Sequence, residues 1–201
     1  MIDLNEYLQA TTIIDWQHPM ILECAQTIAS PHHTHVAIAQ ACFEWVRDEI
    51  HHSVDYQMNP VTCCASDVLK HKTGYCFAKS HLVAALLRAN GIPTGFCYQR
   101  LSIDDQGAPY CLHGFNAIFL PEFGWYKIDA RGNRPGINAQ FVPPKEQLAY
   151  CVKLPGEVNF QRVWAEPLSI VVDVLQTYHH WDEVLHNLPD IDVESLEEDS
   201  F

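Results

Sequence analysis

The stretch TGYCFAKSHLVAALLRANGIPT, residues 73–94, constrains the fold more than any other part of the chain. From Tyr75 to about Asn90 the apolar positions Leu82, Val83, Leu86 and Leu87 recur at helical spacing. Asn90-Gly91 followed by Pro93 is a helix stop. Directly afterwards the period changes to two. Residues 95–101, 112–120 and 125–129 read as strands, separated by turns at Asp104-Asp105-Gln106-Gly107 and Pro121-Glu122-Phe123-Gly124. Helices followed by an antiparallel meander define an α+β class.

The flanks fit that frame. Pro19 opens a helix that Ser30-Pro31 ends, with proline in the first turn, where its missing N–H costs nothing. Residues 33–50 form a second helix, its buried face marked by Val36, Ala39, Gln40, Phe43, Val46 and Ile50. Residues 51–73 read as loop with a short apolar turn at 66–69. Residues 169–186 read as a last helix, and 191–201 as an acidic, frayed tail. One domain over 1–190 suits a chain of 201 residues, which is long enough to bury a core.

Charge narrows the function classes. A net charge of -13 argues against nucleic acid and against an anionic membrane surface as partners. No stretch reaches the ~20 apolar residues of a membrane span. The first residues lack a basic segment followed by an apolar run, so no secretory signal is expected. The eight cysteines then read as free thiols in a reducing cytoplasm. Cys63-Cys64 and the paired histidines lack the spacing of a zinc site, and no acidic loop has calcium-site spacing, so no metal and no cofactor are expected. Walker and dinucleotide glycine motifs do not occur in the sequence.

Three residues suggest chemistry. Cys76 stands at the start of the 75–90 helix, where the macrodipole favours a thiolate and the first-turn N–H groups can serve an oxyanion. Gly74 before it allows a sharp turn and a close approach. His113 lies on the 112–120 strand, sharing a face with Phe115, Ala117 and Phe119 by alternation, and near the start of an inward-facing row it can reach a helix packed against that sheet. Asp129 ends the 125–129 strand, where a carboxylate can orient an imidazole. Separations of 37 and 16 residues allow a helix-to-sheet crossing and then one hairpin. Nucleophile, base and orienting acid form a Cys-His-Asp arrangement. Each residue alone has an ordinary reading: a buried thiol, a structural histidine, a turn acid.

Together TGYCFAKSHLVAALLRANGIPT, HGFNAIFLPEFGWYKIDARGN and WVRDEIHHSVDY resemble the transglutaminase-like superfamily of papain-like folds, over residues 40–133. The resemblance implies helices on an antiparallel sheet, with Cys76 as nucleophile, His113 as general base and acid, and Asp129 as orienting acid. It implies acyl transfer on a peptide or carboxamide bond through a thioester, with a protein or peptide substrate. Water as acceptor gives a protease, amidase or deamidase, and this reading is preferred. An amine acceptor gives a transglutaminase, and an inactive binding module is the third possibility. The chain departs from the family in carrying Phe115 where a Trp is common, and Lys70 where papain-type enzymes place a glutamine. Tyr56 and Gln40 are the upstream candidates for a second oxyanion donor, against a packing or surface role. Lys79, one turn into the helix, either favours the thiolate or is solvated. Arg131 either pairs with Asp129, binds an anionic substrate group, or is a turn residue in solvent. Tyr98, Gln99 and Arg100 are candidates for the opposite cleft wall. Oligomeric state is left open.

Overall fold

The computed structural model describes residues 3–191. At its centre lies α5 (Cys76–Ala89), buried on every side from Cys76 to Arg88. A helix buried all round needs neighbours on all faces. α1 (Pro19–Ala29), α2 (His35–Glu49) and α4 (Ala65–His71) pack on one side of it, and β4 (Tyr110–Leu120) on the other. β4 sits between β3 (Thr94–Ser102) and β5 (Gly124–Ile128) in an antiparallel sheet. β8 (Val158–Asn159) adds to the outer edge of β3.

The two rows of β4 have different duties. Leu112, Ile118 and Leu120 join the main core, while Phe115 and Ala117 cover a second, smaller cluster with Cys97. Asn116 belongs to the helix-facing row and donates to the carbonyls of Ser80 on α5 and Gly95 on β3. Gly114 is in that row as well, because a Cβ there would stand 2.7 Å from Cδ1 of Phe77. Glycine lets the helix mouth settle directly onto the strand.

Polar side chains inside α5 donate to backbone carbonyls, as burial demands, although Nε2 of His81 is buried without a partner. Arg88 donates to Thr94, Gln9 and Ala165, tying the amino-terminal segment, the start of β3 and the later chain to one guanidinium. His81 Nδ1 donates to Cys63 at 2.7 Å. Lys79 donates to the carbonyls of Arg47 and Ile50 at the end of α2.

The helices at 19–30, 33–50 and 75–90 and the three-stranded meander lie where the sequence puts them, within about two residues. Three regions differ. Residues 51–73 are more ordered than expected: β1 (His51–His52) pairs in parallel with β2 (Thr73–Gly74), around a short α3 (Ser53–Tyr56) and α4. Two-residue strands carry no periodicity to read. The last helix is broken into α6 (Ser169–Thr177) and α7 (Trp181–His186), with Tyr178 extended between them. The hairpin β6 (Gln140–Val142) and β7 (Lys145–Gln147) was not anticipated. The acidic tail from residue 192 lies outside the described residues. Among the described residues, no helix is long and apolar enough to cross a membrane.

Candidate active site

Cys76 is the first residue of α5, and Tyr75 before it places no side chain on the first-turn amides. Those N–H groups are left for a ligand. Gly74 does not have the positive φ of a forced turn. Its reason is space, since a Cβ would press on Ala78 at 3.1 Å and on Thr62 Oγ1 at 3.2 Å.

Phe77 lies over Gly114, and this brings Cys76 alongside His113. His113 shares its face with Phe115 (ring centroids 6.0 Å apart), on the row turned away from α5. Its approach to Cys76 is therefore made at the helix mouth, not across the face that packs on the helix as the alternation argument supposed. His113 Nε2 is 2.8 Å from Asp129 Oδ2, which leaves Nδ1 as the nitrogen free for the sulfur. Tyr150 closes over the imidazole edge-on at 4.9 Å. Asp129 is fully enclosed and accepts also from the backbone N–H groups of Ala149 (2.9 Å) and Arg131 (3.1 Å).

The electrostatics follow from that enclosure. Burial alone would push the Asp129 carboxyl up, yet His113 and the two amides hold it below the usual carboxylate range. Burial likewise opposes charge on His113. The Asp129 carboxylate, the Cys76 sulfur and the hydrogen bonds to both outweigh it, and the imidazole pKa is raised. The arrangement favours a protonated His113 ring beside the Asp129 carboxylate.

Cys76 and His113 open onto a cavity of about 500 Å³, with Asp129 enclosed behind them. Its walls include Tyr75, Phe77, His52, Asp55, Arg131 and Tyr150, with Leu101, Ser102 and Ile103 from the end of β3 and Leu185 and Leu188 from the carboxy-terminal part.

Several sequence candidates are placed elsewhere. Gln40 is on α2, bonded to Glu44 one turn on at 2.9 Å, away from the cavity. Tyr56 is 60% exposed and stacks on His51, at a neighbouring pocket that does not include Cys76. Lys79 is 1% exposed, so it is not solvated, and its Nζ is turned to the end of α2. Its ammonium caps the end of α2, with its pKa lowered to about 7 by burial and then by Arg131. Arg131 does border the cavity, but its guanidinium forks onto Asp55 instead of Asp129, and only its backbone N–H reaches Asp129. Arg134 shares the same Asp55 carboxylate at 2.9 Å. Tyr98, Gln99 and Arg100 do not form the wall. Tyr98 accepts from Leu168, Gln99 reaches Asn159 and Arg100 pairs with Asp190, while the next three residues line the cavity.

Sequence reasoning missed His52, Asp55 and Tyr150. His52 and Asp55 lie within the quoted WVRDEIHHSVDY segment, so a signal was present, but their partners are far along the chain. Tyr150 follows residues with no regular period.

The family match and one solved structure agree with this architecture. The family model described as the transglutaminase-like superfamily matches residues 23–130. Among solved structures, the fold is similar to that of a candidate cysteine protease from Cytophaga hutchinsonii, at 17% identity and a TM-score of 0.52, over 65% of this chain and 43% of that one. The periplasmic domain of TgpA from Pseudomonas aeruginosa is also similar, at 22% identity and a TM-score of 0.46, over 64% of this chain and 48% of that one. This chain thus spans less than half the length of either structure. No curated protein matches. The match over more than half of its residues, on an α+β frame with a cysteine at the mouth of the central helix, makes this chain a member of the transglutaminase-like superfamily.

Proposed function

We propose that the protein is a cysteine-dependent acyl-transfer enzyme that hydrolyses peptide or carboxamide bonds, with Cys76, His113 and Asp129 as its catalytic residues. The observation that carries the reading is the enclosed His113–Asp129 pair, 2.8 Å apart, at the helix mouth that bears Cys76. Asp129 fixes the ring through Nε2, so Nδ1 exchanges the proton with sulfur. The thiolate attacks the carbonyl carbon, and the carbonyl π pair moves to oxygen. Collapse restores the C=O bond and breaks the C–N bond, as His113 gives its proton to the leaving nitrogen. A thioester on Cys76 remains. Water, deprotonated by His113, then releases the acid and regenerates the thiol. The 500 Å³ cavity suits a side chain or a short peptide segment on each side of that carbonyl. Under the same reading residues 1–190 are one domain. All eight cysteines are free, which supports a reducing, cytoplasmic setting.

The test is acyl-enzyme trapping. The protein is incubated with a library of peptide amides and glutamine peptides, quenched in acid and mapped by mass spectrometry, with and without a primary amine. The expected result is an acyl adduct on Cys76, absent in Cys76→Ser at the same thioester position, and a free acid as product. An amide product formed with the added amine would make the protein a transglutaminase. No adduct with any activated or peptide acyl donor would leave an inactive binding module.

A further inference from the structure

His52 has no role in the chemistry above, although it is 8% exposed and borders the same cavity. In the β1–β2 pairing it stands opposite Gly74, two residues before Cys76. Its ring meets Tyr75 edge-on, 5.6 Å between centroids. Nδ1 is sealed from solvent and has no hydrogen-bond partner. Nε2 is not sealed in this way, so it is the accessible nitrogen of a ring that borders both this cavity and the neighbouring pocket beside Tyr56.

We propose that His52 is the second oxyanion donor of the site, presenting its Nε2–H beside the backbone N–H of Cys76. This rests on the reading of Cys76 as the nucleophile. The assignment of the proton follows from its surroundings. Burial, reinforced by the charges of Arg131, Lys79 and His113, holds the pKa of His52 well below the ordinary value, so the ring is neutral and carries one proton. A buried N–H without an acceptor is the rarer and costlier defect, so the proton sits on Nε2 and leaves Nδ1 as an unfilled lone pair. A fixed, neutral donor not engaged by any acceptor within the protein is what stabilisation of a developing oxyanion requires. It hydrogen-bonds the oxygen as the carbonyl π pair arrives there and transfers no proton. With Gln40 turned to Glu44 and Tyr56 outside the cavity, His52 is the upstream side chain in position.

The experiment compares two reactions of Cys76 in the full chain. Iodoacetamide alkylates sulfur by displacement at carbon, and no oxygen gains charge. p-Nitrophenyl acetate acylates it through a tetrahedral oxyanion. In His52→Phe, which keeps an aromatic ring but no donor, the acylation burst should slow on the order of 100-fold, while alkylation stays at the wild-type rate. His52→Gln, which restores an N–H, should recover part of the acylation rate. His52→Ala serves as the donor-free variant if His52→Phe does not fold. Equal acylation in wild type and the donor-free variant overturns the proposal, as does a parallel fall in both reactions, which would mean a packing role. A wild-type Cys76 inert to both reagents defeats the nucleophile reading instead, so the two failures are distinct.

Discussion

His113 and His81 are both enclosed histidines, and their surroundings set them in opposite directions. His113 faces a carboxylate and is raised, whereas His81 faces a carbonyl and the apolar core, and burial lowers it to about 4. The sign for His81 is definite. Between pH 4 and 6.5 the unfolded chain binds a proton at this position that the native state refuses, so stability falls as pH drops through that window. From pH 7 to pH 5 this one group removes about 2 kcal/mol. His113 acts in the opposite sense, and only above pH 6.5. Urea midpoints of wild type and His81→Gln at pH 7 and pH 5 check this: the variant, whose amide keeps a donor for Cys63, should lose less stability over that interval. An equal loss in both proteins would place the acid sensitivity elsewhere. At this scale Cys76 and Asp129 could be singled out as candidates because one opens α5 and the other directly follows β5, and His113 because it lies near the start of a strand marked by alternation. The roles of Lys79 and Arg131 were not legible, because their partners, the carbonyls of Arg47 and Ile50 and the carboxylate of Asp55, depend on where separate segments meet, whereas Gln40 and Tyr56 turn to local partners, Glu44 and His51.

The decisive contact between elements is α5 against β4. Phe77 is 1% exposed and seats on Gly114, which sets the height of the helix mouth and with it the spacing of Cys76 from His113. Gly114→Ala drives a methyl group to 2.7 Å from a ring that has nowhere to turn. The expected result is a loss of about 1–3 kcal/mol in urea unfolding, together with a slower alkylation of Cys76. Unchanged values of both would mean that the mouth is looser than its packing implies. Long elements could be read from sequence because their periods are strong: α5 by its apolar spacing, β4 by alternation. The alternation nevertheless misdirected the histidine. It grouped His113, Phe115 and Ala117 correctly, but the row on the helix is the other one, marked by Gly114 and Asn116. A glycine and an asparagine do not look like a core face, yet one leaves room for a ring and the other bonds the helix backbone.

Across the whole molecule, the segment after residue 133 returns to complete the cavity that the motif core begins. Ala149 donates to Asp129, Tyr150 covers His113, Leu185 and Leu188 form wall, and Tyr75 bonds the carbonyl of Trp181. Arg100 and Asp190 pair at 2.7 Å near where the backbone of Leu112 donates to Pro189. This region was the least legible part of the chain, because short strands and turns held by distant partners have no pattern of their own. The family match ends at residue 130, ahead of these contacts, so this wall lies outside the part of the chain that the family describes. The central claim still concerns the sulfur that the wall encloses. It is tested most directly by the rate of Cys76 alkylation with iodoacetamide from pH 4 to 10, located by peptide mapping, in wild type and His113→Ala. A thiolate–imidazolium pair predicts rapid reaction already near pH 6, below the range where free thiols ionise, and loss of that low-pH reactivity in the variant. Identical profiles in the two proteins, or an unreactive Cys76, would contradict it.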